Sequence, residues 1–280
     1  MKVTALLSTL AVASATYAAP NHHKRCPGAH TNSTLPTTFI AGVEVVDTQI
    51  VRDAQELVKA FIPLQPYLYN HVMRTWLLGA AAINNNATLK SEIDLEVHAI
   101  GSLLHDMGWD QRPNSPYVSG KYRFEVDSGV AAMNFIKGHP DAHNWDAARL
   151  EKVYDGISLQ TIIGVVDFKN IQSQWIVKSV GFEFPQPRSP LIPTQFYDSV
   201  QGNFTNSTLF RGTNDTFTRF CVYNPATTYN TFLDVFGQEY VPGYNEKGAR
   251  LFDLIQGGLE GELAEYPEVE FTPLPPRDQL

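Results

Sequence analysis

From residue 47 to residue 258, apolar residues recur mainly at intervals of three and four. No stretch sustains the period-two alternation of a half-buried strand. This pattern points to helices packed on helices. Asp47 stands as an N-cap before Ile50, Val51, Ala54, Leu57, Val58 and Phe61, and Pro63 ends that segment. A second helix is expected from Pro66 to Ile83, with Leu68, His71, Thr75 and Leu78 on one face and Asn84-Asn85-Asn86 closing it as a turn. A third is expected from Ser91 to Met107, with Gly108 at the C-cap. Further helices are expected over Phe124–Lys137, Trp145–Gly164, Ile171–Val180 and Glu246–Gly258, whereas the Pro-, Asn-, Thr- and Ser-rich stretch 185–225 reads as irregular. The expected fold is an all-α bundle over residues 47–260 with a long irregular C-terminal segment. A lead-in over 20–46 precedes it and a tail over 261–280 follows.

Residues 1–19 read as a secretory signal. Lys2 is followed by a short apolar run, Val3 to Ala15, and a small-residue cleavage site near Ala18. The run is too short to span a bilayer. Lys24-Arg25 reads either as a dibasic processing site or as plain solvated chain. Five Asn-X-Ser/Thr sequons (Asn32, Asn86, Asn203, Asn206, Asn214) agree with a secreted glycoprotein, and the last three suggest an exposed loop. In an oxidising compartment Cys26 and Cys221 are expected to pair; two unpaired, buried thiols are the alternative. The net charge of −8 argues against a nucleic-acid partner and against a basic membrane-binding patch. A small-molecule substrate remains, and no oligomeric state can be read from the residues.

The chemistry concentrates at Leu103-Leu104-His105-Asp106-Met107-Gly108, a His-Asp pair at a helix end, and at His71 on the preceding helix. If those helices pack, two imidazoles and a carboxylate converge on one divalent metal, Zn first, with Fe or Mn as alternatives. Three protein ligands with an open position suit activation of water. Taken alone, a His-Asp dipeptide also fits a helix-terminal histidine followed by a turn aspartate. His98 reads as a packing residue, and His139 and His143 as solvated loop residues. Arg74, one turn after His71, reads as meeting an anionic substrate or pairing with Asp106. No nucleophile elbow or phosphate-cradling glycine loop occurs.

The segments His71-Val72-Met73-Arg74, Leu104-His105-Asp106-Met107-Gly108 and Arg123-Phe124-Glu125-Val126 together resemble the HD-domain superfamily of metal-dependent hydrolases. More closely they resemble its fungal cyanamide hydratase-like branch, as do Phe220-Cys221-Val222-Tyr223-Asn224-Pro225 and Tyr240-Val241-Pro242-Gly243-Tyr244. The resemblance implies an all-helical HD-type fold and one metal held by His71, His105 and Asp106. It also implies a fourth, downstream carboxylate, for which Glu183 is preferred and Asp167 is the rival. Asp106 then doubles as a possible proton acceptor, and Glu125 joins the site. Gln160 stands where many relatives carry an inward histidine; it can orient substrate or water but not act as acid or base. The implied activity is a secreted hydrolase or hydratase acting on a nitrile-, amide- or related carbon–nitrogen substrate. The alternatives are a phosphomonoester or nucleotide phosphohydrolase and a degenerate binding protein.

Overall fold

The computed structural model describes residues 35–184, 188–270 and 272–273. The chain divides into two compact units, 1–31 and 32–280, and every described residue lies in the second. The signal segment, Lys24-Arg25, Asn32 and Cys26 lie outside the described residues.

The described chain is largely helical and opens on two short strands, β1 (Thr37–Ile40) and β2 (Val43–Val46), paired antiparallel with Ile40 opposite Val43. This hairpin falls within the stretch 20–46 that reads as a lead-in. Its two-residue turn is Ala41-Gly42, both at positive φ (49° and 76°), the type I′ geometry that matches strand twist. Four-residue strands are too short to show sustained alternation. Val43, Val45 and Val46 nevertheless enter the core, where β2 packs on the second and fourth helices.

The helices are α1 (Gln49–Val58), α2 (Pro66–Asn84), α3 (Ala87–Glu92), α4 (Leu95–Leu104), α5 (Phe124–Gly138), α6 (Ala147–Ser158), α7 (Ile171–Gly181), α8 (Thr194–Asn203), α9 (Leu209–Tyr223), α10 (Asp234–Tyr240) and α11 (Leu251–Glu265). Helices α2 and α4 form the centre. Residues 71–83 of α2 and 96–104 of α4 are buried without interruption, the signature of helices enclosed on all sides. Around them, α1, α5, α6 and α7 pack on α4, while α7, α8 and α9 pack on α2.

The single helix expected over 91–107 is two. Asn86 caps α3 by accepting from Leu89 N, Ile93 is extended, and Asp94 caps α4 by accepting from Glu96 N and Val97 N. Arg149 fixes this start. Buried at the beginning of α6, it donates to both oxygens of Asp94 and to Glu96, and its guanidinium lies 4.0 Å over the Trp145 ring. The stretch 185–225, expected to be irregular, holds α8 and α9. Asn203, Asn206 and Asn214 are exposed there, but on α8, the turn after it and α9 rather than on one loop. Cys221 is a buried free thiol donating to the Leu233 carbonyl at 3.3 Å.

His98 does pack. Its Nε2 meets Ser179 Oγ at 2.9 Å, and Ser179 donates onward to the Trp175 carbonyl. Gly79 makes room, since a Cβ there would lie 2.4 Å from His98 Nε2. Burial pushes His98 down from 6.5 to about 3. The folded state therefore holds it neutral while the unfolded chain takes up a proton. Its contribution to stability is complete above pH 6.5 and is lost as pH falls from 6.5 toward 3. Urea titrations between about pH 7 and pH 4 should show stability falling by about 1 kcal/mol per pH unit on this account. His98→Gln should flatten that slope; an unchanged slope would mean that His98 is not the group responsible. His139, expected to be solvated, is buried instead. Its Nε2 meets Asp53 at 2.9 Å and its Nδ1 accepts from Asp141 N, while His143 is exposed as expected.

Candidate metal centre

Helix α4 ends at Leu104, and its C-cap is His105. A helix end leaves carbonyls without partners. His105 Nδ1 takes one of them, donating to Ser102 O at 2.8 Å. That bond places the proton on Nδ1 and turns Nε2, with its lone pair, inward. Asp106 follows at φ −115°, ψ 27°, leaving the helix so that its carboxylate lies beside the imidazole. The turn Met107–Trp109 then closes with Trp109 N bonded to Asp106 O at 2.9 Å. Gly108 lies within that turn rather than serving as a C-cap. Its side-chain position is filled by α5: a Cβ would sit 2.4 Å from the Phe124 carbonyl oxygen, and Gly108 N donates to Ser128 Oγ at 2.9 Å. The ligand-bearing turn is thus clamped against a rigid backbone.

His71 enters from the N-terminal half of α2. His71 Nε2 lies 3.1 Å from His105 Nε2 and 3.3 Å from Asp106 Oδ2, and His105 Nε2 lies 3.1 Å from that same oxygen. Three ligating atoms, one from each residue, form a nearly equilateral triangle within side chains at most 1% exposed. Atoms bound tetrahedrally at zinc-like distances would stand about 3.4 Å apart.

The donor set also fits a cation. Asp106 Oδ1 is buried without a hydrogen-bond partner, and Oδ2 meets only the two imidazole nitrogens, an arrangement that is costly unless a positive charge compensates it. Burial alone would raise the Asp106 carboxyl, but the two histidines outweigh it and hold it down near 2. Likewise, burial lowers His71, but Asp106 and Glu183 outweigh it and push it up to about 9. A proton on His71 can serve one edge of the triangle. A divalent ion serves all three.

Glu183, expected as the fourth ligand, stands elsewhere. Its Oε2 faces the opposite ring nitrogen, His71 Nδ1, at 3.4 Å, and it does not join the three-atom cluster. It is held by Arg74, whose Nε donates to the same oxygen at 2.6 Å. Arg74 therefore pairs with Glu183 rather than with Asp106, and its remaining bonds go to the Phe204 and Thr205 carbonyls. The rival Asp167 is exposed on a short 3₁₀ turn. Glu125 is fully buried, but Arg123 grips it by Nε and Nη2 and Thr161 donates to it, so it too stands outside the cluster. Gln160 lies just beyond the end of α6 rather than within a helix, and reaches the site through its amide, donating to His105 O at 2.9 Å.

Sequence reasoning passed over Trp109. Its ring stacks on His71 (centroids 6.1 Å apart, planes 22° apart) and is met edge-on by Phe124 and Phe217. Phe184, partly exposed and 6.4 Å from the His71 ring, joins the triad to the surface. The available signal was position, since Trp109 falls one turn after His105 in the segment that carries the ligands. Neither a family model nor a curated protein matches this chain. The triad by itself marks the protein as a candidate metal-binding, mostly helical enzyme.

Proposed function

We propose that this chain is a secreted, metal-dependent hydrolase or hydratase with an HD-type centre, acting on a small uncharged carbon–nitrogen substrate such as a nitrile or amide. The observation that carries the reading is the buried triangle of His71, His105 and Asp106, whose second carboxylate oxygen, Oδ1, has no hydrogen-bond partner. His71, His105 and Asp106 would hold a divalent ion, which would supply Lewis acidity and lower the pKa of bound water toward neutrality. His71 and His105 bind through Nε2, each ring oriented through its Nδ1 by Glu183 or by the Ser102 carbonyl. Asp106 would contribute charge through Oδ2, and its Oδ1, which has no hydrogen-bond partner, would be free to accept a proton from water. Gln160 fixes the His105 backbone, and Trp109, Phe124 and Phe217 exclude bulk water.

Phosphate ester hydrolysis is less well supported. The arginine nearest the triad, Arg74, is committed to Glu183 and to two carbonyls, and the neighbouring wall is aromatic. Export is proposed from the N-terminal segment and the sequons. The test is a paired screen of the metal-loaded protein: ammonia or amide formation from small nitriles and amides, against phosphate release from monoesters and nucleotides. Turnover in the first arm alone supports the proposal. Phosphate release alone transfers the centre to the other reaction class, and silence in both arms alongside full metal content would favour a binding role.

A further inference from the structure

A cleft of about 280 Å³ opens between the hairpin, the end of α2, α3 and α8. Asn84, on its wall, stands about 20 Å along α2 from His71, so the cleft is separate from the triad. Its walls carry two aromatic rings, Phe39 and Phe196, and four polar side chains, Glu44, Asn84, Asn85 and Lys90. Phe39 is 72% exposed. A volume near the small end of the roughly 300–1,000 Å³ range of ligand sites suits one sugar ring rather than a large ligand. A pyranose presents apolar C–H faces to aromatic rings, and hydroxyls to amides and charged groups. That is the mixture found here.

The chain places an attachment point for a sugar beside these walls. Asn84, Asn85 and Asn86 are consecutive, and the first two brace the cleft. Asn84 Nδ2 donates to the Glu44 carbonyl at 2.8 Å, and Asn85 Nδ2 to the Leu191 carbonyl at 3.1 Å. Asn86 is used differently. Its Oδ1 caps α3 by accepting from Leu89 N at 3.0 Å, while its Nδ2 has no hydrogen-bond partner among the described residues. Asn86-Ala87-Thr88 is an N-glycosylation sequon, with Thr88 exposed. A glycan bonds to Nδ2 and leaves Oδ1 in place, so capping and modification do not compete. Asn86 also stands between two residues of the cleft wall. Asn85 precedes it, with Cα atoms about 3.8 Å apart. Lys90 lies one turn on, its N bonded to Asn86 O at 2.9 Å, and its Nζ reaches Glu44 Oε2 at 3.3 Å. The other described sequons differ: Asn203 spends its Nδ2 on the Ser199 carbonyl, and Asn206 and Asn214 do not line the cleft.

We propose that Asn86 is N-glycosylated and that the first sugars of its glycan lie in this cleft against Phe39 and Phe196, which rests on the export proposed above. The donor is an oligosaccharide carried on a lipid diphosphate. The Asn86 amide nitrogen bonds to the anomeric carbon, the bond from that carbon to the diphosphate oxygen breaks, and the amide gives up one proton to a base of the transferase. The full chain with its own signal, expressed in a secreting eukaryotic host, tests both parts. Peptide mass spectrometry after glycan release in heavy-oxygen water should mark Asn86 as modified. Asn86→Asp, which keeps the cap, and Thr88→Ala, which keeps Asn86, should each lose one glycan and melt lower by the same few degrees. An endoglycosidase acting on the folded protein should release the Asn86 glycan several-fold faster from Phe39→Ala than from the wild type. Once Thr88→Ala has removed the glycan, Phe39→Ala should lower the melting temperature no further. A secreted chain with Asn86 bare would overturn the proposal and leave export standing, whereas a chain retained in the cell would overturn both. Equal release with and without the Phe39 ring, or melting effects that simply add, would remove the cleft as the seat of the glycan. Binding of free N-acetylglucosamine oligomers to a chain with Asn86 bare would assign the cleft to a ligand from outside.

Discussion

The Asp106→Asn variant is expected to lack stoichiometric metal, while the wild type retains one divalent ion per chain after extensive dialysis. The substitution keeps shape and volume but removes the carboxylate charge that faces the two imidazole nitrogens. Elemental analysis of both proteins reads the result directly. Affinity should fall by more than the roughly 10–100-fold that outer partners command, because a ligand itself is altered. A second readout is thermal. Excess metal at about 100 times Kd stabilises a binding protein by about 2.7 kcal/mol, so the wild type should melt higher with metal and Asp106→Asn should not. The pH dependence follows from His71, held up to about 9 by Asp106 and Glu183 against the opposing effect of burial. Below that value the metal-free site carries a proton that metal must displace, so affinity should drop by up to about tenfold per pH unit as pH falls. Full metal content in Asp106→Asn would remove the triad as a metal centre.

How much of this was legible depended on the range over which each signal acts. Helices α2 and α5 were placed nearly to the residue, because Pro66 and the uninterrupted apolar surface leave one reading. The break between α3 and α4 was not foreseen. The apolar stripe Ile93, Val97, Ile100 runs through it, and only the caps at Asn86 and Asp94, which act locally, oppose the periodicity. Helices α8 and α9 were missed because their Asn, Thr and Ser content mimics loop; burial of Val200, Leu209, Phe217 and Phe220 against α2 and the aromatic cluster outweighs that weak propensity. At the site, His71, His105 and Asp106 were legible because each is fixed by its own helix or helix end. Glu125, Gln160 and Glu183 were recognisable as neighbours, but their directions were not. Those depend on partners distant in sequence: Thr161 for Glu125, the His105 carbonyl for Gln160, Arg74 for Glu183.

Glu183 makes the sharpest test of that difference. As a fourth ligand at a helix end two residues before Pro185, Glu183 could turn back into the bundle, and Glu183→Gln would then reduce metal occupancy and leave folding largely intact. The structure places its side chain, and that of Arg74, fully out of solvent. The substitution would keep the volume but strip the charge, leaving a buried guanidinium facing only the Phe204 and Thr205 carbonyls. Breaking one partner of a buried pair costs about 3–5 kcal/mol, and chemical denaturation should show a loss of that order. His71 would keep at most a neutral amide oxygen in place of the charged acceptor at its Nδ1, so metal affinity should drop by roughly 10–100-fold without vanishing. A ligand role predicts the opposite balance: metal lost outright, stability little changed. Asp167→Asn, at an exposed site, should alter neither quantity. Replacing Arg74 and Glu183 together by methionine should cost far less stability than the two single changes summed, because neither charge is then stranded. If the double replacement were simply additive, the two residues would not act as one unit, and the support assigned to His71 would have to come from elsewhere.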